Sequence, residues 1–339
     1  MKSTLGVKSI LCSVLVLVFF FVTQGYPAEE VINLKFAHFM ASDDPITNLD
    51  RKWCNEVEKR TGGRVKVTLY PGATLVPLVQ TYDNVKKGIA DIGFGIFTYH
   101  RGRFPLTEGV DLPLGHKKAS ITIRMVNEYY KKFRPKELDD VKVLWLAARG
   151  PDTINSKKPI SKLEDLNGMR IRCSGLASSV VKALGGTPVS MPITEAYDAL
   201  SKGICDAIWC DTGAIEGFGL YDLVKYHIEY FSAATDSAFY IIMNKQKWES
   251  LPKNIQTIID KLDEEWIEVA AKGWDEWEDV KTATLLKRGN KLTQLSKEEN
   301  ERWAERVKPI IDQYLETTKE KGLPGKEVLQ FCVDYLKKH

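Results

Sequence analysis

The sequence predicts a two-lobed α/β protein with one long helix spanning both lobes. Three observations carry this expectation: a strand-helix alternation that occurs twice, a junction motif shared by the two halves, and an extended helical pattern in the last third of the chain. In the first half, Asn33 to His38 (NLKFAH) alternates as a strand does. Ile46, Leu49, Trp53 and Val57, three or four residues apart, then mark a helix stopped by Gly62-Gly63. Val65, Val67 and Leu69 alternate up to Pro71-Gly72. Pro77 to Lys87 reads as a helix ended by Gly88, and Ile89 to Phe94 as a buried strand. The order returns as strand Met169 to Cys173, helix Ser178 to Leu184, strand Thr187 to Met191, helix Thr194 to Lys202 and strand Ile204 to Trp209. The last junctions read alike, Lys87-Gly88-Ile89-Ala90-Asp91 against Lys202-Gly203-Ile204-Cys205-Asp206, which sets the halves in register. Glycine is common at helix ends, so the match by itself is moderate support.

From Asn254 to about Leu286, Ile255, Ile258, Ile259, Leu262, Trp266, Val269 and Trp277 fall on or near one helical face, with Trp274 beside it. Roughly 30 residues at 1.5 Å each extend about 45 Å, longer than one small lobe is wide. Two shorter helices broken near Gly273 are the alternative. The expected boundaries are a signal peptide over 1–25, lobe I over 29–150 and about 236–280, and lobe II over 151–235 and about 281–339.

Composition narrows the function. The chain has 339 residues, 44% of them hydrophobic, with 48 Lys plus Arg against 45 Asp plus Glu. That is an ordinary packed protein, not a disordered chain or a disulfide scaffold. The net charge of +3 falls to +1 once Lys2 and Lys8 of the leader are set aside, so no field favours nucleic acid. The leader carries those two lysines, the apolar run Ile10 to Val22, then Thr23-Gln24-Gly25, with a cut expected after Gly25 or Ala28. This order is a secretory signal, and the run is short for a membrane span; a retained signal anchor is the alternative. Cys12 lies in the leader behind Leu11, where a lipidation site needs a small residue. Cys54, Cys173, Cys205, Cys210 and Cys332 contain no CxxC pair, so inert buried thiols are expected. A Cys205–Cys210 bridge would join two residues of one predicted strand.

No HExxH, GxSxG, GxxxxGK[ST] or complete GxGxxG occurs, and the His residues at 38, 100, 116, 227 and 339 are scattered. No catalytic residue, metal cage or cofactor is therefore assigned, although residues distant in sequence can still assemble a triad. The run Lys131-Lys132-Phe133-Arg134 reads as a solvated helix end. The informative strand is Met169-Arg170-Ile171-Arg172-Cys173. Period two puts Arg170 and Arg172 on one face, with Arg172 near the carboxyl end, where open α/β sheets bind ligands. A guanidinium there can hold a carboxylate through two parallel charged hydrogen bonds, or can serve as an ordinary ion-pair residue.

Over about residues 31 to 335 the chain resembles the DctP-like periplasmic solute-binding subunits of tripartite ATP-independent periplasmic (TRAP) transporters. The blocks that carry the resemblance are, in order, FAHFMASDDP, EVEKRTGGRVKVTLYPG, VKKGIADIGFG, RGRFPLTEGVDLP, EDLNGMRIRCSG, GGTPVSMPITEAYDALSKGICDA, FYIIMNKQKWESLP and LSKEENERW. The resemblance implies a periplasmic-binding-protein-like architecture and assigns the arginine of the MRIR strand, Arg172, to the ligand carboxylate. It also exposes departures. A second arginine of sialic-acid-type members falls on Asp152, an asparagine of many members on Cys210, and an aromatic before the helix start on Ile193. With Trp209 and Asp211 these residues remake the surroundings of the anchor, which argues against sialic acid and simple dicarboxylates. Either Asp could receive an amine or hydroxyl of the ligand, or could simply cap a helix or turn.

From the first lobe, His38, Phe39, Thr98, Tyr99 and Phe104 lie on loops at or after strand ends, where they can face a cleft or pack between lobes. Glu195 and Tyr197 match a family signature and read as structural. The expectation is an exported, monomeric binding protein that closes on a small organic anion and delivers it to TRAP permease subunits. An exported hydrolase or lyase and a ligand-presenting sensory protein are the alternatives. Aromatic carboxylates, short hydroxy or keto acids, zwitterions and sulfonates stay open as ligands.

Overall fold

Residues 31–229 and 231–339 are described by the computed structural model, so the expected leader 1–25, Cys12 and both cut sites lie outside the described residues. The described chain runs through β1 (Ile32–Ala37), α1 (Pro45–Arg60), β2 (Val65–Tyr70), α2 (Thr81–Lys86), β3 (Ile92–Ile96), α3 (Ala119–Phe133) and β4 (Val141–Ala148). Next come β5 (Thr153–Ser156), β6 (Arg170–Cys173), α4 (Ala177–Ala183), β7 (Thr187–Ser190), α5 (Ala196–Ser201), β8 (Ala207–Cys210), α6 (Thr212–Gly217) and β9 (Tyr226–Ile228). The chain closes with β10 (Ala238–Asn244), α7 (Lys245–Ser250), α8 (Lys253–Lys287), β11 (Lys291–Thr293), α9 (Lys297–Glu320) and α10 (Gly325–Lys338). Among the described residues no helix is long and apolar enough to cross a membrane.

The strands form two sheets, one ordered β2-β1-β3-β10-β4 and the other β11-β9-β5-β8-β6-β7. The α/β grammar read from the sequence is present in both. In the first sheet β1 pairs parallel with β2 and β3. In the second, β6 pairs parallel with β7 and β8. Local chemistry explains the helices between them. Asp44 caps α1 by accepting a hydrogen bond from the Ile46 N–H at 2.8 Å, Pro45 supplies a fixed φ in the first turn, and Lys59 and Arg60 sit in the last turn. The buried face of α1 is Ile46, Trp53 and Val57, as the spacing requires.

The shared junction has a common structural basis. Gly88 and Gly203 both take positive φ, 74° and 70°, a conformation open to glycine without a Cβ clash. The aspartate that follows then locks the sheet. Asp91 Oδ2 accepts from the Lys35 N–H of β1 at 2.7 Å, and Asp206 Oδ2 accepts from the Arg170 N–H of β6 at 3.1 Å. The strands nevertheless start later than the hydrophobic runs predict, at Ile92 and Ala207, because Ile89 and Ile204 belong to the turn and stand 47% and 48% exposed.

Two segments cross between the sheets side by side. One leads from β4 into β5 and the other from β9 into β10, and they pair through an antiparallel bridge between Asp152 and Thr235. β10 is thereby inserted antiparallel between β3 and β4. The long helix α8 makes a further connection. It is continuous over 35 residues, about 52 Å at 1.5 Å per residue, so the alternative of a break near Gly273 does not hold. Its first half packs on α1, α3 and β4, with the Trp53 indole donating to Asp263 at 2.9 Å, and its last turns pack on α6. α9 lies against α4, on the second sheet. α10 returns to α3 of the first sheet, where Phe331 meets Phe133 edge-on at 5.7 Å. The expected boundary that kept 281–339 together in lobe II is corrected there. The apolar positions of α10, including Val328, Cys332 and Leu336, fit the first sheet's core.

Ahead of α3, His116 is completely buried. Its Nε2 donates to the Leu112 carbonyl at 3.0 Å and its Nδ1 accepts from the Thr122 hydroxyl at 3.2 Å. Burial pushes this imidazole down to about 4, whereas an unfolded chain titrates it near 6.5. Above that value His116 is neutral in both states and contributes nothing to pH dependence. As pH falls from about 6.5 towards 4 the unfolded chain takes the proton first, so stability falls by up to about 3 kcal/mol. Urea unfolding at pH 7 and pH 4.5 is expected to lose more free energy in the wild type than in His116→Gln. Parallel losses would contradict the assignment.

Candidate functional site

The crossing segment between β4 and β5 begins with Arg149. Its Nη2 donates to Asp152 Oδ1 at 2.9 Å, and its Nη1 lies 2.9 Å from Asp211 Oδ2 in a contact whose alignment makes it an ion pair and not a directed hydrogen bond. The guanidinium carbon rests 5.4 Å from the centre of the Phe239 ring. Both carboxylates are anchored on their far sides. Asp152 Oδ2 accepts from the Ser237 hydroxyl at 2.9 Å, and Asp211 Oδ1 accepts from the Ala214 N–H at 2.7 Å, capping α6. Burial raises the Asp152 carboxyl, and the neighbouring Arg149 opposes that rise. Glu278 of α8 joins the cluster by accepting from the Gly213 N–H at 3.0 Å and from the Thr212 hydroxyl. Burial and the adjacent Asp211 push the Glu278 carboxyl up to about 8, so it is largely protonated at neutral pH.

Arg172 has a different environment. It sits near the carboxyl end of β6, level with Ile208 on β8 and Val189 on β7, and is only 2% exposed. Nε and Nη2 donate to the Met191 carbonyl at 3.0 and 2.7 Å, and Nη2 also reaches the Tyr99 hydroxyl at 3.4 Å. Among the described residues Nη1 has no hydrogen-bond partner, and no carboxylate pairs with the group. Arg170, two residues earlier, is half-exposed and pairs with Asp206 at 2.9 Å. A buried cation without a counter-charge is costly, of the order of several kcal/mol, and that cost is relieved when an anion enters.

Tyr99 arrives from the loop after β3 and its hydroxyl also accepts from the Ile193 N–H at 3.1 Å. The two sheets' loops therefore meet beside Arg172. Gly175 marks the tightest approach: its φ is +54°, and a Cβ there would stand 2.7 Å from Thr98 Cβ and 3.0 Å from the Thr98 carbonyl oxygen. Any side chain at 175 would hold these loops apart.

Arg172, Asp152, Cys210, Asp211 and Tyr99 are brought into one neighbourhood. The buried Cys210 thiol is pushed well up by burial and Asp211, and is opposed by Arg149 and Arg172, which places it among all of these charges. Thr98 lies at the edge. Ile193 contributes its N–H to Tyr99 while its side chain is buried in the core. Three expected residues point elsewhere. Trp209 is on the opposite face of β8 from Ile208 and Cys210; it packs against Phe231 at 5.7 Å and donates to the Thr235 hydroxyl at 2.9 Å. His38 is enclosed beside the first sheet, with Nε2 against Asp50 at 3.1 Å and Nδ1 accepting from the Met40 N–H. Phe104 fills the first sheet's core against Tyr82 and Phe97, at 5.0 and 5.1 Å. Phe39 is intermediate, edge-on to Phe239 at 6.3 Å, one ring removed from Arg149. The described cysteines, Cys205 and Cys210 included, are all free and buried.

Sequence reasoning missed Arg149, Glu278 and the placement beside Arg149 of the rings of Phe239, Trp274 and Trp277, which meet in series with centroids 5.4 Å apart, the first pair tilted and the second edge-to-face. Arg149 follows the apolar run VKVLWLAA directly. The strand-end rule that singled out Arg172 would have found it had that strand been assigned.

The two arginines are predicted to separate in a stability experiment. Arg149→Ala leaves Asp152 and Asp211 buried without their cation and is expected to cost about 3 to 5 kcal/mol in urea unfolding. Arg172→Met removes an unpaired buried charge and is expected to leave the ligand-free protein at least as stable as wild type. A loss of several kcal/mol at Arg172 equal to that at Arg149 would contradict this division.

Residues 36–318 match the family described as bacterial extracellular solute-binding protein, family 7, also called DctP. The C4-dicarboxylate-binding periplasmic protein DctP of Rhodobacter capsulatus is 25% identical over 307 residues, 85% of this chain and 87% of that protein. A TRAP periplasmic solute-binding protein from Desulfovibrio salexigens, crystallised as an open complex, is 31% identical with a TM-score of 0.81, covering 91% of this chain and 96% of that one. The TRAP solute-binding protein of Rhodoferax ferrireducens, crystallised with copurified benzoate, is 27% identical with a TM-score of 0.85, covering 91% and 98%. With the two sheets, the crossing segments and the long helix in place, the chain belongs to family 7 of the bacterial extracellular solute-binding proteins, the periplasmic solute-binding components of TRAP transporters.

Proposed function

We propose that this protein captures a small organic carboxylate between its two lobes, with Arg172 as the anchor, and presents it to the membrane subunits of a TRAP permease. The observation that carries the reading is the buried guanidinium of Arg172, whose hydrogen-bond partners are neutral oxygens and which has no carboxylate within ion-pair distance among the described residues. A carboxylate can replace the long Tyr99 contact and engage the unpartnered Nη1 together with Nη2, forming the two parallel charged bonds that guanidinium geometry favours. Family membership supports the permease as the recipient.

Lobe I comprises 31–150, about 236–276 and α10; lobe II comprises 152–235 and about 282–320. The Asp152–Thr235 bridge is the hinge and α8 the strut between them. Closure about such a hinge is general among periplasmic binding proteins and buries the ligand. Tyr99 reports it, since its hydroxyl reaches Arg172 and Ile193 from the other lobe. Residues 1–25 serve as the export signal, and the mature protein acts as a monomer. An aromatic monocarboxylate is the favoured ligand, because the Phe39, Phe239, Trp274 and Trp277 rings continue from Arg149 and a 27% identical relative was crystallised with benzoate.

Titration calorimetry with benzoate, mandelate and short keto acids tests the anchor. Loss of a buried, charge-paired arginine costs roughly 2 to 5 kcal/mol, so Arg172→Ala is expected to weaken whichever acid binds by at least about thirty-fold. Unchanged affinity would remove Arg172 from the site. Gly175→Val is expected to weaken the same acid by opposing closure, read as a lower affinity with an intact circular-dichroism spectrum. Wild-type affinity in that variant would show that the Gly175–Thr98 contact is not part of the bound state.

A further inference from the structure

We propose that Asp152 and Asp211 impose a charge rule on the cleft: one carboxylate is admitted, on Arg172, and a second anionic group is refused. The inference rests on the reading of Arg172 as the anion anchor and adds the residues that decide the ligand's other end.

The starting point is that the neighbourhood holds two buried guanidinium groups. The Cys210 thiol is influenced by both Arg149 and Arg172, and the Tyr99 hydroxyl that touches Arg172 also acts on Arg149. Two arginines facing one cleft would ordinarily suit a dicarboxylate, one for each end. Here they are unequal. Nη1 and Nη2 of Arg149 each face a carboxylate, Asp211 and Asp152, at 2.9 Å, and its Nε is buried without a hydrogen-bond partner. Arg172 is 2% exposed and keeps Nη1 open.

Neither carboxylate is free to swing off Arg149. Asp152 is tied by the Ser237 hydroxyl and by the backbone bridge to Thr235, and Asp211 by the first turn of α6. Glu278 adds a third carboxyl and no positive charge to that end. A second carboxylate arriving beside Arg149 would therefore meet a cation already neutralised by two fixed anions, with like charges at contact in a site remote from water. A hydroxyl or an aromatic ring meets no such opposition, since a hydroxyl can donate to Asp152 or Asp211 and a ring can lie on the layer formed by Phe239. The substrate class that follows is a monocarboxylate whose distal end is apolar or carries a hydroxyl.

Calorimetry on the full mature chain with size-matched pairs tests the rule, using benzoate against phthalate and butyrate against succinate. The wild type is expected to bind at least one monocarboxylate about tenfold or more tighter than its dicarboxylate partner. Asp152→Asn and Asp211→Asn keep the shapes, and at 211 the helix cap, while freeing Arg149. Each is expected to narrow that ratio by about tenfold or more through tighter dicarboxylate binding. A wild type that binds the dicarboxylate as tightly as its partner overturns the rule whether or not the variants fold. Variants that weaken both members of a pair equally also overturn it, because that is the behaviour of purely structural aspartates. Failure of every acid to bind overturns the anchor reading and the rule with it. Binding that survives Arg172→Ala overturns the anchor reading and the placement of the admitted carboxylate with it, whereas a dicarboxylate bound as tightly as its partner by a wild type that still needs Arg172 overturns the charge rule alone, so the two failures are distinguishable.

Discussion

A guanidinium held almost wholly out of water, with no carboxylate within ion-pair distance among the described residues, is the feature on which the proposed function depends. Arg172 is kept there by its strand: β6 lies between β7 and β8, Ile171 and Cys173 face the lobe's own core, and the alternate face turns Arg172 towards the other lobe. The Met191 carbonyl and the Tyr99 hydroxyl orient the group without neutralising it. Because a buried charge is stabilised far more by an anion than by a dipole, the site stores a preference for ligand that an ion-paired arginine would lack. Stability is given up locally for function, as is common at binding sites.

The hinge solves the opposite problem. Two chain segments must cross between the sheets with their backbone groups away from regular strands, and the crossing is buried. The Asp152–Thr235 bridge satisfies the backbone, and Arg149 gathers the carboxylates of Asp152 from one lobe's entry and Asp211 from the cap of α6. The same cluster meets Glu278 near the end of α8, so the long helix and the crossing segments share one buried polar network. One arginine is thus ion-paired within the fold and the other is the proposed ligand anchor, although they lie in the same neighbourhood.

Much of the fold was legible because it obeys local rules. The repeated Lys-Gly-Ile-x-Asp junction did mark equivalent places: a positive-φ glycine ends each helix, and the aspartate ties each neighbouring strand. The long helix followed from its apolar face, and it runs unbroken through Gly273, where the end of the Leu49 side chain packs closely. The placement of Arg172, on the face of β6 opposite Ile171 and Cys173 and near the strand's carboxyl end, was legible from parity and position. What escaped were facts of tertiary placement. Trp209 looks like a ligand-covering ring in sequence, yet the parity of β8 turns it into the core with Phe231. His38 sits at a strand end but is consumed by Asp50 of α1. The partnership of Arg149 with Asp211 joins residues 62 positions apart, and no local pattern encodes it.

The most direct measurement is a crystal structure of the mature protein with a bound monocarboxylate. The account predicts both carboxylate oxygens within about 3 Å of Arg172 nitrogens, with Arg149 still paired to Asp152 and Asp211. A carboxylate held on Arg149, with Arg172 left on the Met191 carbonyl, would contradict it.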